Sequence, residues 1–234
     1  MSRASHPDCR AILWEEAGIC ETDNISEWNY DETILELIRE FSDGLILDCG
    51  AGRRPVYYSN VVNYEIVDYD STDILGIGER LPFKDNSFDA VLSLAVLEHV
   101  RDPFQCANEI ARVLRPNGKF FCQMPFLQPL HGYPHHYFNA THQGLRRLFE
   151  EKLEIQNISV PVGGFHPLFA LNWILQSWAN GLSETTKQQF LEMRIKELLA
   201  YPTVLLGEPF AKELPEETIF ELACGFRLIA VKPE

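Results

Sequence analysis

The chain has 234 residues, of which 46% are hydrophobic, and its 34 acidic and 20 basic residues give a formal net charge of -14. The hydrophobic share is large enough for a buried core, which excludes a disordered chain and favours one domain over residues 1–234. The negative charge opposes unassisted binding to nucleic acid phosphates or to an anionic membrane, so a small or neutral ligand is easier to accommodate.

The N-terminus and the cysteines favour a soluble, cytoplasmic protein. Residues 1–8 lack the apolar core of a secretory signal. The most apolar later stretch, residues 167–182, is interrupted by polar side chains and is too short to cross a bilayer. The cysteines are scattered without a Cys-x-x-Cys pair, which favours reduced thiols. They are Cys9, Cys20, Cys49, Cys106, Cys122 and Cys224.

Residues 1–43 are expected to form an N-terminal helical extension. Asp31 can cap a helix whose apolar residues recur at the i, i+3, i+4, i+7 spacing, and Gly44 ends that helix. The apolar residues are Ile34, Leu37, Ile38 and Phe41.

A strand and a glycine-rich turn follow directly. Residues 45–47 form a short apolar run, typical of a parallel strand that is covered on both faces. Asp48 and the turn Cys49-Gly50-Ala51-Gly52 come next. Gly50 and Gly52 lack the Cβ atoms that would obstruct a nucleotide-like ligand at the carboxyl end of the strand. Taken alone, this pattern fits a tight turn as well as a ligand site.

The core region, residues 44–160, alternates strands with helices. Further strands are predicted at 61–67, 73–77, 88–94, 119–124 and 153–160. Asp102 is the expected N-cap of a helix that has Pro103 as its first residue and Gln105 as the partner in a capping box. Thr141 can cap a later helix. Alternating strands and helices imply a mostly parallel sheet.

Residues 161–217 interrupt the alternation with an apolar helix from about residue 167, a polar helix over about 184–200 and a loop punctuated by prolines. The apolar helix has too many large side chains for a free helix, so it must cover the core, a pocket or a second subunit. We therefore expect a helical insertion that acts as a lid or as a homodimer surface, and simple cover of the core is the more common alternative. Residues 218–234 then return to strand character.

One carboxylate lies at the expected end of the second strand. Glu65 follows Asp48 at about the offset at which nucleotide-binding α/β folds place an acid for the ribose hydroxyls. The alternative is a solvated acid at a strand end, and Asp68 competes for the role. Glu65 fits better, because its position against the strand end is better defined.

A series of motifs decides between a tight turn and a ligand site. Residues 79–91 read ERLPFKDNSFDAV, residues 97–100 read LEHV and residues 112–118 read RVLRPNG. In this order they resemble the S-adenosylmethionine-dependent methyltransferases with a Rossmann-like fold, in particular the type 11-like group with LPF-x-D-x-SFD and VLEH motifs. The resemblance covers residues 45–149. It implies a doubly wound α/β fold with a mostly parallel seven-stranded sheet, an antiparallel last strand and a helical insertion before that strand.

The resemblance also implies which residues bind S-adenosylmethionine. The strand-end acid and the turn would line the methionine part of the cofactor; they are Asp48, Gly50, Ala51 and Gly52. Glu65 would bind the ribose, and Gly78 and Glu79 would border the adenine. Leu94 and Ala95 would flank the region of the donor methyl group.

Two positions depart from common patterns. Ile77 stands where the family usually has an acid that bonds the adenine amino group, so adenine recognition would depend on backbone groups or on Glu79. Pro55 holds the third glycine position of dinucleotide-binding folds and the following helix is curtailed, which disfavours a pyrophosphate ligand. S-adenosylmethionine has no phosphate, and an acid such as Asp48 can offset its positive charges.

A histidine-rich segment follows the fifth strand. Residues 125–138 read PFLQPLHGYPHHYF and are expected at the carboxyl edge of the sheet, where ligands bind. For an alcohol or a protonated amine as methyl acceptor, His131 or His135 is the candidate catalytic base. Local loop packing is the alternative for both. His99 matches the Glu-His pair of the family, and a structural histidine that orients a loop is an equal alternative.

The spacing of these histidines argues against a metal ion. Gly132 and Pro134 prevent a regular helix from presenting His131 and His135 on one face, and no nearby Cys or Asp completes a tetrahedral set with His136. We therefore expect no metal site.

The sequence thus predicts an S-adenosylmethionine-dependent methyltransferase that acts on a small molecule, without a nucleic acid or membrane partner. Because the sulfonium is already activated, alignment of the acceptor and exclusion of water can supply most of the acceleration, and no catalytic base is obligatory. The alternative is a catalytically inactive methyltransferase-like domain for binding or interaction, which Ile77 and the shortened glycine loop favour.

Overall fold

The computed structural model describes residues 26–129, 131, 135–161, 164–180, 184–185, 188, 201–204, 206 and 225–233. Seven strands form one sheet: β1 (Ile46–Cys49), β2 (Val61–Glu65), β3 (Ile74–Leu75), β4 (Phe88–Leu94), β5 (Leu114–Pro125), β6 (Glu154–Ser159) and β7 (Gly225–Val231). The described helices are α1 (Glu32–Glu40), α2 (Pro103–Val113), α3 (His142–Phe149), α4 (Pro167–Asn180) and a short 3-10 helix (Pro202–Val204).

The strand order in the sheet is β3-β2-β1-β4-β5-β7-β6. The first five strands pair in parallel, whereas β7 is antiparallel to both β5 and β6. The prediction of a mostly parallel seven-stranded sheet with an antiparallel last strand is therefore confirmed. Strand order reverses between β1 and β4, so a crevice opens at their carboxyl ends, which is where ligands bind in sheets of this kind.

Helices cover both faces of the sheet. Along β4, Val91 belongs to one hydrophobic cluster while Ala90 and Leu92 belong to the other, as the alternation of side chains in a strand requires. Residues of α2 and α3 complete the first cluster, and residues of α1 complete the second. The fold is therefore a doubly wound, three-layer α/β structure.

Local capping fixes where three helices begin. Asp31 accepts a hydrogen bond from the N–H of Ile34, Asp102 from that of Gln105 and Thr141 from that of Gly144. All three predicted N-caps are confirmed. Helix α1 ends at Glu40, before the predicted Gly44, because the chain turns over residues 41–44.

The predicted capping box of α2 is wrong. The side-chain amide of Gln105 lies 3.4 Å from the carbonyl oxygen of Glu79 and does not return to Asp102. Glu79 Oε1 instead accepts hydrogen bonds from the N–H groups of Arg101 (2.9 Å) and Asp102 (3.3 Å). A carboxylate is a stronger acceptor than an amide, so the loop between β3 and β4 supplies the second half of the cap.

Strands β2 and β5 are two of those that differ from the predicted bounds. Strand β2 ends at Glu65 because the carboxylate of that residue accepts the N–H groups of Ile66 (2.7 Å) and Val67 (3.2 Å), which turns the chain out of the sheet. Strand β5 begins earlier than predicted, since Leu114 already pairs with Phe88.

Motif residues 81–83 are held against α2. The Arg112 guanidinium donates to the carbonyl oxygens of Leu81 (3.0 Å) and Phe83 (2.7 Å). Glu109 pairs with Arg112 and accepts the N–H of Leu81 (2.8 Å). The LPF motif, Glu109 and Arg112 therefore have a linked structural role in this chain.

The insertion is described only in part. Phe165, Phe169 and Ala170 form a third small hydrophobic cluster at the start of α4. Leu171 and Ile174 of the same helix are 39% and 45% exposed. The predicted polar helix and most of the region 1–43 lie largely outside the described residues. Within the described ranges, no helix is long and apolar enough to cross a membrane.

Candidate active site

The glycine-rich turn lies at the carboxyl end of β1, beside β4. Gly50 and Gly52 have φ angles of 85° and 64°, which side chains with a Cβ rarely adopt. The N–H groups of Gly50 and Ala51 donate to the carbonyl oxygen of Tyr64, at 2.9 and 3.1 Å. A Cβ at residue 50 would lie 2.5 Å from the methyl groups of Val96. Both glycines are therefore required by the backbone of the turn.

Glu65 contacts this turn directly. Its side chain is buried, and Oε2 accepts a hydrogen bond of 2.6 Å from the N–H of Gly52. Burial raises the pKa of Glu65 although the backbone hydrogen bonds oppose the shift. The structure thus brings together the turn and the acid that were predicted to share one site.

Asp48 is already paired with a cation. Its Oδ2 accepts from the guanidinium of Arg54 at 2.7 Å and from the hydroxyl of Tyr30 at 2.5 Å, and both charged side chains are buried. The guanidinium also stacks over the ring of Tyr30, 4.3 Å from its centre. Oδ1 of Asp48 has no hydrogen-bond partner among the described residues. Neither Arg54 nor Tyr30 was predicted from the sequence, although Arg54 is only two residues after Gly52.

Residues 26–30 cross over the turn. Ser26 accepts the N–H of Arg53 at 2.8 Å through its carbonyl oxygen, and Trp28 accepts from Arg54 in the same way. A Cβ at residue 52 would approach the Ser26 carbonyl oxygen to 2.6 Å. A cavity of about 180 Å³ opens next to this crossing. Its lining residues are Trp28, Asn29, Tyr30, Leu35, Arg54, Val56 and Tyr58.

The other predicted cofactor residues are spread over two loops. Gly78 packs on α2, where an added Cβ would lie 2.7 Å from Cys106 Sγ. Glu79 caps α2. Leu94 ends β4, and Ala95 follows with a φ of 57°, an uncommon conformation for alanine. The carbonyl oxygen of Ile77, at the departure from the family pattern, accepts the hydroxyl of Tyr64 at 2.9 Å.

A cluster of a carboxylate and histidines lies after β4 and β5. Glu98 is fully buried, and burial raises its pKa to about 8. The imidazole of His99 lies 3.8 Å from it and that of His131 lies 4.0 Å from it. Burial lowers the pKa of His99 to about 4 and also lowers the pKa of His131. Both rings are therefore neutral at pH 7.

Only one of the two predicted bases belongs to this cluster through its ring. His131 does, with its ring centre 5.1 Å from that of His99 and 4.4 Å from that of His136. The ring of His135 instead packs against Tyr137, with 5.1 Å between the centres, and its carbonyl oxygen accepts from His99. Sequence reasoning missed Glu98, although the VLEH motif contains it.

Comparison with known proteins gives a partial match. Residues 49–122 match the model of a family described as a methyltransferase domain. An uncharacterised protein of Methanocaldococcus jannaschii is 38% identical, over 38% of this chain and 47% of its own length. An uncharacterised methyltransferase of Mycobacterium sp. (strain JLS) is 54% identical, over 18% of this chain and 16% of its own length. The chain therefore spans less than half the length of these relatives.

Among solved structures, that of a putative methyltransferase from Bacillus halodurans is similar at a TM-score of 0.47 and 15% identity, covering 87% of this chain and 100% of that one. The matched residues 49–122 begin at the glycine turn and end in β5, and so contain the crevice between β1 and β4. Residues 49–122 are therefore similar to the family described as a methyltransferase domain.

Proposed function

We propose that this protein is an S-adenosylmethionine-dependent methyltransferase that acts on a small-molecule acceptor. The observation that carries the proposal is the pair of left-handed glycines at the end of β1, with Glu65 hydrogen-bonded to the second of them. This arrangement lies in the crevice of the sheet, within the part of the chain that matches the methyltransferase family. The net charge of -14 supports a small acceptor and opposes a nucleic acid.

The residues of the turn fit S-adenosylmethionine. Gly50, Ala51 and Gly52 allow a ligand to approach the backbone closely, because the two glycines present no Cβ. The buried Oδ1 of Asp48, which lacks a partner among the described residues, can accept a hydrogen bond from the ammonium group. Because Arg54 already neutralises Asp48, this contact is weaker than one to a free carboxylate.

Other residues complete the proposed cofactor site. Glu65 would accept the ribose hydroxyls in place of one of its backbone N–H partners. Gly78 and Glu79 would border the adenine, and Leu94 and Ala95 would lie near the donor methyl group. When bound, S-adenosylmethionine supplies an activated methyl group.

The protein's own contribution is to orient the acceptor, exclude water and hold a proton. For a hydroxyl or amine acceptor, His131 and His135 are the proposed bases. His131 is better placed by its ring, which lies in the cluster with Glu98 and His99, and its lowered pKa keeps it able to accept a proton at pH 7.

Titration calorimetry with S-adenosylmethionine and S-adenosylhomocysteine tests the proposal. We expect one site on the wild-type chain and loss of binding in Gly50→Ala, because φ 85° and the contact with Val96 forbid a Cβ there. Gly144→Ala is the matched control. It lies in α3, where an added Cβ meets nothing closer than 3.6 Å, so binding should be unchanged.

Two results would contradict the proposal. Absence of heat at millimolar S-adenosylmethionine in the wild-type chain would leave the inactive binding domain as the better interpretation. Equal binding by Gly50→Ala and the wild-type chain would show that the cofactor does not use this turn.

A further inference from the structure

Glu98 is a buried carboxylate that the fold does not satisfy. Its side chain is fully buried, and neither oxygen has a hydrogen-bond partner among the described residues. Burying such a group without a partner is unfavourable, and buried carboxylates normally pair with a cation or bind a metal ion. Glu98 lies in the loop after β4 and is held in place through its backbone, since its carbonyl oxygen accepts the N–H of Tyr137 at 2.6 Å.

Two imidazole nitrogens face this carboxylate. Nε2 of His99 lies 3.8 Å and Nε2 of His131 lies 4.0 Å from Glu98 Oε1. Ligand atoms of the three residues all lie within 4.8 Å of one another. Both distances to Glu98 exceed a hydrogen bond, so a proton shared with either ring does not explain the arrangement.

The hydrogen bonds of the two rings fix their tautomers. Nδ1 of His99 lies 2.7 Å from the carbonyl oxygen of His135, and Nδ1 of His131 lies 2.9 Å from that of Pro129. A carbonyl oxygen only accepts, so both Nδ1 atoms carry the proton and both Nε2 atoms keep a lone pair. Histidine ligands of metals are oriented in this way, by a backbone carbonyl on the nitrogen that does not bind the metal.

The third histidine of the cluster is not available as a ligand. Nδ1 of His136 accepts the N–H of His131 at 3.2 Å, and its Nε2 donates to Asn139 Oδ1 at 2.9 Å. Its role is to support the position of His131. The candidate donor set therefore consists of one carboxylate and two imidazoles.

We propose that Glu98, His99 and His131 bind one divalent transition-metal ion, of the type of Zn²⁺ or Fe²⁺. Two histidines and one carboxylate are a common donor set for these ions and leave coordination positions open. Ligands at about 2.1 Å from a tetrahedral ion lie roughly 3.4 Å apart. The two distances to Glu98 would need to shorten by about half an ångström, and no pair of ligand atoms by more than about 1.4 Å. The ion would supply the positive charge that Glu98 lacks.

Two of the three proposed ligands reach the surface, so open coordination positions of a bound ion would be accessible to solvent. His99 and His131 are 27% and 29% exposed, although Glu98 is fully buried. The site lies at the carboxyl ends of β4 and β5, and an oxygen of the methyl acceptor could occupy an open position. The ion would then lower the pKa of an acceptor hydroxyl, and His131, as one of its ligands, would no longer act as the base. This last step depends on the proposed function, whereas metal binding itself does not.

The prediction of no metal site was based on His131, His135 and His136, which are close in the sequence, and on the lack of a nearby Cys or Asp. The structure instead brings His131 to Glu98 and His99 from the preceding strand end.

Cobalt titration of the chelator-stripped, full-length protein tests this site. We expect one Co²⁺ per chain with visible d–d absorption, displaced by Zn²⁺. Glu98→Gln and His131→Ala each remove a ligand and should weaken the affinity at least about tenfold. His135→Ala is the matched control, because the carbonyl of residue 135 that orients His99 remains, and its affinity should equal that of the wild-type chain.

Three results would overturn the inference: a wild-type chain without a stoichiometric Co²⁺ band, Glu98→Gln binding as tightly as wild type, or His135→Ala weakening binding as much as His131→Ala. Circular dichroism identifies a variant that fails to fold. In that case the Co²⁺ absorption of the wild-type chain alone decides whether the metal site exists. Calorimetry with S-adenosylmethionine, run in parallel, separates the two proposals, since metal binding without cofactor binding contradicts the function and not the metal site.

Discussion

At the scale of single residues, Asp48 and Arg54 connect the glycine turn to the segment that crosses it. Their side chains are 0% and 4% exposed and lie 2.7 Å apart. A buried ion pair contributes little net stability, but removal of one partner leaves the other charge buried without compensation. Through Trp28 and Tyr30, Arg54 also holds the N-terminal segment in place.

We expect Arg54→Met to lower the free energy of unfolding by about 3–5 kcal/mol, because Asp48 is then buried without a cation. Arg53→Met is the matched control. Among the described residues, Arg53 forms ion pairs with the exposed acids Glu27 and Asp70, so its replacement should leave stability nearly unchanged. Urea unfolding at pH 7, followed by circular dichroism, measures both.

A double variant distinguishes the effect of the uncompensated Asp48 charge from the effect of the packing lost with the Arg54 side chain. Asp48→Asn combined with Arg54→Met removes both charges and should be more stable than Arg54→Met alone. A double variant that is less stable, or an Arg53→Met variant that loses as much as Arg54→Met, would contradict the assignment of the pair.

At the scale of helices and strands, α2 is capped from outside its own sequence. Glu79 accepts the N–H groups of Arg101 and Asp102, while Asp102 accepts the N–H of Gln105. A local capping box would have placed the second acceptor on Gln105. The loop that carries the motif residues 79–83 is thereby fixed to the start of the helix.

We expect Glu79→Ala to lower the free energy of unfolding by about 1 kcal/mol, the usual effect of losing a cap, when no cofactor is present. Gln105→Ala should have a smaller effect, since its amide makes only long contacts of 3.4 Å, with the carbonyl of Glu79 and with the side-chain amide of Asn108, among the described residues. Thermal unfolding of both variants measures the difference. A larger loss in Gln105→Ala would restore the capping box that the sequence predicted.

Elements with local signals were predictable from the sequence, and contacts between distant residues were not. Strand β4 has the predicted bounds, and the three N-caps are correct, because an apolar run or a short polar side chain determines them within a few residues. Glu79 caps α2, and Glu98 lies 4.0 Å from His131, only because the sheet brings separate loops together. The proximity of the glycine turn to Glu65 was predictable, because the parallel strands that they follow and end reach the same edge of the sheet.

At the scale of the whole molecule, the surface is acidic and carries a local apolar patch on α4. Leu171 and Ile174 are 39% and 45% exposed and are three positions apart, so they lie on one face of the helix. The remainder of the predicted lid or dimer surface, 161–217, lies largely outside the described residues. A homodimer through this region stays a prediction.

The prediction is tested by light scattering coupled to size-exclusion chromatography. If α4 forms the dimer surface, the double variant Leu171→Glu, Ile174→Glu should be a monomer under conditions where the wild-type chain is a dimer, because two charges would be buried in an apolar contact. Phe104→Glu is the control. Phe104 is 51% exposed on α2, outside the insertion, and its replacement should leave the dimer intact.

The net charge gives this prediction a second, independent signature. Each copy carries a formal charge of -14, so two copies repel one another over a distance that salt shortens. An apolar contact opposed by that repulsion should strengthen as salt is raised from 0.05 to about 0.5 M, whereas a contact built on ion pairs should weaken. A wild-type chain that is a monomer at every salt concentration, or a dimer that Leu171→Glu, Ile174→Glu does not disrupt, would contradict the assignment of α4 as the dimer surface.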